Sequence, residues 1–114
     1  MGEIISLKKN YEFQRLYKKG VSAPQGPLVL ICSRNRLGVN RLGITVSKKI
    51  GKANVRNRAK RKLKEAFRLS SGKLKTGYDI VLVARTRTAE EKFDSILRAF
   101  MNAARKAEIV EAGK

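Results

Sequence analysis

The stretch "NVRNRAKR", Asn54 to Arg61, carries the side chains best fitted to chemistry in this chain, and that chemistry is recognition of phosphate. Arginine presents a planar fork of donors that meets two phosphate oxygens at once, and lysine adds a compact point charge. Asn57 can bond a phosphate, a 2′-hydroxyl or a base edge. In a helix of about 3.6 residues per turn, Asn57, Lys60, Arg61, Lys64 and Arg68 fall within one arc. A nucleic-acid backbone laid along that arc meets donors at every turn. The same run poses an electrostatic problem. Lys52, Arg56 and Arg58 crowd the start of the helix, and no acid follows until Glu65. Unpaired N–H groups and the positive end of the helix dipole favour acids there, and each misplaced cation costs roughly 0.3–1 kcal/mol at low salt. Phosphates from a partner would turn the misfit into a binding site.

Other chemistry finds little support. Histidine is absent, which removes the commonest general base. Glu90, Glu91 and Asp94 read as a complement to a helix start rather than as a metal site. Asp79 sits among apolar neighbours and reads as a strand-end acid paired with a cation or backbone N–H groups. The single cysteine, Cys32, excludes an internal disulfide and reads as a buried, inert thiol. No phosphate-loop, dinucleotide or zinc spacing is present. The expectation is a protein with no catalytic residue and no metal ligand of its own.

The totals agree with a binding role. The chain has 114 residues, enough for one domain over 1–114, and 42% are hydrophobic. Lys and Arg number 27 against 9 acids, a formal net charge of +18. Such a charge calls for a polyanionic partner. Between Phe13 and Tyr78 the only acid is Glu65, so the basic segment is long and unbroken. No apolar run approaches a membrane span, and "MGEIISLKK" lacks the apolar core of a signal peptide. The expected compartment is a reducing cytoplasm.

The elements that would position these residues follow from spacing. "LKKNYEFQRLYKKG" predicts a helix capped by Asn10 and closed by Gly20, with Phe13, Leu16 and Tyr17 on its apolar face. Pro24 and Pro27 bracket a turn. "PLVLICS" is apolar on both faces and predicts a central strand. "RNRLGVNR" reads as a basic loop. In "RLGITVS", Leu42, Ile44 and Val46 alternate with Gly43, Thr45 and Ser47. The basic helix is expected over roughly Asn54 to Leu69. Val55, Ala59, Leu63, Ala66 and Phe67 form its stripe, and Arg58, Lys60, Arg61, Lys62, Lys64 and Arg68 cover the rest. "YDIVLVAR" predicts another strand. A last helix carries Phe93, Ile96, Leu97, Phe100, Ala103, Ala104 and Ala107 on one face, with a capping box from Thr88 and Glu91 or a regular start only near Phe93. The order implies an α+β sandwich with a single sheet.

The block "RLGITVSKKIGKANVRNRAKRKLKEAFR" closely resembles the signature of the bacterial ribonuclease P protein subunit, with Arg56-Asn57-Arg58 as its RNR motif. "KKNYEFQRLYKKG" is similar to that family's first helix and "GYDIVLVAR" to its last strand. The resemblance implies a small two-layer sandwich of order αβββαβα, with a left-handed βαβ crossover holding the RNR helix. It implies two RNA partners, a catalytic RNA and precursor tRNA, with no further protein partner required. The holoenzyme would remove the 5′ leader, with RNA-bound Mg²⁺ carrying out the hydrolysis and the protein acting as accessory subunit. Carried over by position, Lys48, Lys49, Arg56, Asn57, Arg58, Lys60, Arg61, Lys64 and Arg68 would face the catalytic RNA. Phe13, Tyr17, Ile31 and Thr45 would line a cleft for the single-stranded leader. Three departures stand out: Ile31 where an aromatic is frequent, Lys64 in place of a frequent Arg, and no proline in "RTRTAEEK".

Three rival readings compete. A ribosomal protein or RNA chaperone would share the charge without needing the cleft. A DNA-binding architectural module would need apolar wedges or a helix-turn-helix. A nuclease acting alone would cleave without RNA.

Overall fold

Two apolar runs and one alternating run build the sheet, and the amphipathic helices cover it. In the computed structural model, which describes residues 4–111, the elements are β1 (Ile5–Ser6), α1 (Asn10–Lys19), β2 (Val21–Gln25), β3 (Leu28–Arg34), β4 (Arg41–Thr45), α2 (Ala53–Ser70), β5 (Tyr78–Ala84) and α3 (Phe93–Lys106). The start of "MGEIISLKK", residues 1–3, lies outside this range. The strands form one mixed sheet of order β1-β4-β5-β3-β2. β4 and β5 are parallel neighbours joined through α2, which is a βαβ crossover. β3 pairs antiparallel with both β5 and β2. The fold is thus the α+β sandwich expected, with the two strands that are apolar on both faces at its centre. The two-residue β1, parallel to β4, is an addition that the sequence did not signal.

The two faces are covered unequally. Leu30, Cys32, Leu42, Ile80 and Leu82 meet Ala59, Leu63, Ala66 and Phe67 of α2 and Ile96, Phe100 and Ala103 of α3. Phe67 and Phe100 pack edge to face with centroids 6.2 Å apart. The opposite face has α1, with Leu16 buried against Val81 and Leu7. Thr45, Val83, Val29 and Pro24 lie side by side in register on that face. The first three remain half-buried and Pro24 is exposed. The sheet thus has one sealed side and one partly open side.

Several local expectations are corrected. Pro24 lies within β2 rather than in a turn; β2 is an edge strand, where a residue without N–H is tolerated. The turn itself is Gly26–Pro27, with Gly26 at φ +45°. Asn10 is the first helical residue of α1 and not its cap. The start is satisfied instead by Glu12, whose Oε1 accepts the backbone N–H of Lys9 at 3.2 Å. Gly20 does close α1, donating its N–H to the Leu16 carbonyl, but at an ordinary φ of −75°. What it supplies is space, because a Cβ there would lie 2.7 Å from Cγ2 of Ile31. The Thr88–Glu91 capping box does not form. The Thr88 hydroxyl donates to the Pro27 carbonyl at 2.6 Å and accepts the Arg85 N–H, which ties the loop after β5 to the β2–β3 turn. Glu91 pairs with Arg87 instead, and the regular helix begins at Phe93.

Candidate nucleic-acid interface

α2 buries a stripe and exposes the rest, because its apolar residues recur every three or four positions. Ala59, Leu63, Ala66 and Phe67 are buried, while Asn57, Arg58, Lys60, Arg61 and Lys64 are exposed. Lys48 and Lys49 are exposed in a single turn just before the helix. Among the first-turn residues none is acidic, and Lys52 at the cap position makes no side-chain capping bond. The electrostatic misfit read from sequence is therefore present in the folded protein. Arg56 is half-buried beside Ile44 and Val46, and its Nε is buried with no hydrogen-bond partner among the described residues.

Two predicted cations are partly spoken for. Arg68 donates to the carboxylate of Glu65 within the same helix, and this pairing holds Glu65 below the usual carboxylate range. Lys62, read as part of the cationic surface, reaches across to α3's approach instead. Its Nζ donates to the carbonyls of Ala89 and Glu91 at 2.6 Å each, so it serves the fold.

On the open side, α1 brings Phe13 and Tyr17 to the sheet at different depths. Tyr17 is 42% exposed, and its hydroxyl lies 2.6 Å from that of Thr45 on β4. Phe13 is half-buried and rests on Gly43, where an added Cβ would come within 2.6 Å of its ring. Ile31 is half-buried against the Leu7, Leu16 and Val81 cluster. Leu7, just after β1, donates its N–H to the Leu42 carbonyl, and among the described residues no strand pairs with the outer side of β4 beyond that point. There Phe13, Gly43 and Ile44 share a hollow of about 200 Å³ with Lys60 and Lys64 of α2.

One ionic network holds α1 in place. Arg41 of β4 donates to both oxygens of Asp79 and to Glu12 of α1, all at 2.8 Å, and Asn35 adds a bond to Asp79. Burial pushes the Asp79 carboxyl up, but the Arg41 and Asn35 hydrogen bonds and the Arg41 charge outweigh it, leaving the pKa below its ordinary value. This is the cation pairing expected for Asp79. Glu12 is also lowered, first by the Lys9 backbone N–H. Burial raises the Cys32 thiol to about 11, which makes it a poor nucleophile.

The sequence pattern described as Ribonuclease P matches residues 1–108. The chain belongs to that family. It is 38% identical over 111 residues to the ribonuclease P protein component of Natranaerobius thermophilus, covering 97% of this chain and 96% of that one. The corresponding component of Clostridium kluyveri is 45% identical over 107 residues, covering 92% and 96%. The solved RNase P protein of Staphylococcus aureus superposes with a TM-score of 0.84 at 32% identity, covering 96% of this chain and 100% of that one. That of Thermotoga maritima gives 0.80 at 30%, covering 89% and 96%.

Within this ribonuclease P protein fold, the residues named from sequence fall into three sets. Lys48, Lys49, Asn57, Arg58, Lys60, Arg61 and Lys64 are exposed on or just before α2, with Arg56 and Arg68 half-buried on the helix. Phe13, Tyr17, Ile31 and Thr45 lie on the α1 side of the sheet, where Ile31 serves as a packing residue. The hollow beside β4 joins the two surfaces, which spacing alone left separate. Sequence reasoning missed Gly43 and Arg41. The alternation around Gly43 marked an outward position but gave no sign that an aromatic ring would occupy it.

Proposed function

We propose that this ribonuclease P protein component binds the catalytic RNA through α2 and the Lys48–Lys49 turn, and holds the 5′ leader of precursor tRNA on the α1 side of the sheet. It thereby assists endonucleolytic removal of the leader to give the mature tRNA 5′ end. The observation that carries this reading is the hollow where Phe13 and Gly43 meet Lys60 and Lys64. A single-stranded RNA rounding the β4 edge would find an aromatic surface on one side and phosphate partners on the other. Such a pairing of cationic groove and aromatic platform suits unpaired bases of any sequence. What supports ribonuclease P over a general RNA chaperone is the family match over residues 1–108, not the aromatic side alone.

Four of the described carboxylates are already taken up by arginines. Glu12 and Asp79 are engaged by Arg41, Glu65 by Arg68 and Glu91 by Arg87. Mg²⁺ in this reading belongs to the RNA, and the protein's part is to neutralise phosphates and position the leader. The cytoplasm is the compartment it implies. The test compares reconstituted holoenzyme on precursor tRNAs with a several-nucleotide leader and with a single leader nucleotide. Tyr17→Ala should weaken only the longer substrate, by about fivefold or more if one base stacks on the ring. Equal losses on both would place the leader elsewhere.

A further inference from the structure

The outer side of α1 carries a second aromatic site that the cleft does not use. Tyr11 is 55% exposed. Two cations lie near its ring: Lys9, with Nζ 5.8 Å from the centroid, and Arg15, with Cζ at 6.0 Å. Tyr11 and Phe13 are two residues apart, which puts them about 160° apart around the helix. Phe13 faces the sheet, so Tyr11 faces away from it. Arg15 and Lys18 follow Tyr11 at four and seven positions, and both are exposed. The one acid of α1, Glu12, is turned to the sheet and engaged by Arg41. The outer side is therefore a stripe of cations around an exposed ring with no acid within it.

We propose that Tyr11, near Lys9 and Arg15, is a second contact for single-stranded RNA, taking an unpaired base of the leader upstream of the nucleotides held in the cleft. The proposal rests on the leader reading above. Charge complementarity identifies the occupant as a polyanion, and an exposed ring near cations suits a base with its adjoining phosphates. Continuity identifies the strand. Around α1, Gln14 lies between Tyr17 at the cleft and Tyr11 on the outer side, and all three side chains are exposed. A leader leaving the cleft past Tyr17 can cross the helix over Gln14 and arrive at Tyr11. The catalytic RNA is assigned to α2, on the other face of the sheet.

The test uses reconstituted holoenzyme and three precursor tRNAs: a single-nucleotide leader, a short leader that fills the cleft, and a longer one that reaches over α1. Tyr11→Ala should leave the first two affinities unchanged and weaken the third by about fivefold or more. Tyr11→Trp should restore it, a rescue that a purely structural role would not show. Arg15 also helps depress the Asp79 carboxyl, so Tyr11 is the cleaner position to change. Unchanged affinity for the longest leader in Tyr11→Ala would overturn the proposal. Equal weakening of all three, with weaker binding of the catalytic RNA alone, would overturn it in favour of a catalytic-RNA contact. Tyr17→Ala on the short leader separates the two claims: a loss there with none from Tyr11→Ala leaves the cleft standing and removes only the outer site.

Discussion

The hydroxyls of Tyr17 on α1 and Thr45 on β4 lie 2.6 Å apart, a contact between residues 28 positions apart in the chain. It fixes one edge of an otherwise exposed ring over the open side of the sheet. Tyr17→Phe and Thr45→Val should each lower stability by about 0.5–1.5 kcal/mol, and the double variant should lose little more than either single one. Urea unfolding of the four proteins measures the coupling. Fully additive losses would mean that the bond contributes nothing.

Phe13 and Gly43 make a tighter pair. Gly43→Ala places a methyl 2.6 Å from the Phe13 ring, so the ring must leave or β4 must shift. A loss of about 1–3 kcal/mol is expected. Phe13→Leu should relieve most of the added strain, so the double variant should be more stable than the sum of the singles predicts. Thermal melts of the same set give the answer.

Arg41 links α1 to the sheet through two carboxylates whose folded pKa values are lowered. Such groups contribute stability that is fully present above the unfolded carboxylate pKa of about 4, and that is lost as pH falls through the lowered folded values. Arg41→Met should cost about 2 kcal/mol at neutral pH, between the values for exposed and fully buried pairs. The variant leaves Asp79 buried without its cation and raises its pKa. The stability gap between the two proteins should therefore narrow as the pH is lowered from neutral. Denaturant unfolding at several pH values, in one fixed salt, tests the sign.

The fold and the exposed face of α2 were legible because they rest on periodicity. The stripe from Val55 to Phe67 and the apolar runs of β3 and β5 need only their own spacing to declare which side is buried. Lys62 was misread because its partners, the carbonyls of Ala89 and Glu91, come from a loop that no spacing places beside it. Thr88 was misread for the same reason: its hydroxyl finds the Pro27 carbonyl across the molecule rather than the local helix start. Phe13 and Tyr17 looked equivalent in sequence, one helical turn apart. Only the glycine beneath Phe13 and the hydroxyl facing Tyr17 separate a half-buried ring from an exposed one.

The exposed cations of α2 should govern salt dependence. If about 6 phosphates are engaged, affinity for the catalytic RNA should fall by about three decades between roughly 50 and 200 mM salt. Arg61→Ala, at an exposed position, should reduce the logarithmic slope by about 1. Lys62→Met should leave the slope nearly unchanged and lower stability instead. A slope change at Lys62 equal to that at Arg61 would contradict the division of roles.

The central claim is that the protein assists an RNA catalyst and does not cut by itself. The direct measurement is precursor tRNA cleavage at low Mg²⁺ by the protein alone, by the cognate catalytic RNA alone and by the two together. The account predicts no cleavage by the protein, little by the RNA, and restored cleavage by the pair. Robust cleavage by RNA-free protein, or no gain on combining the two, would contradict it.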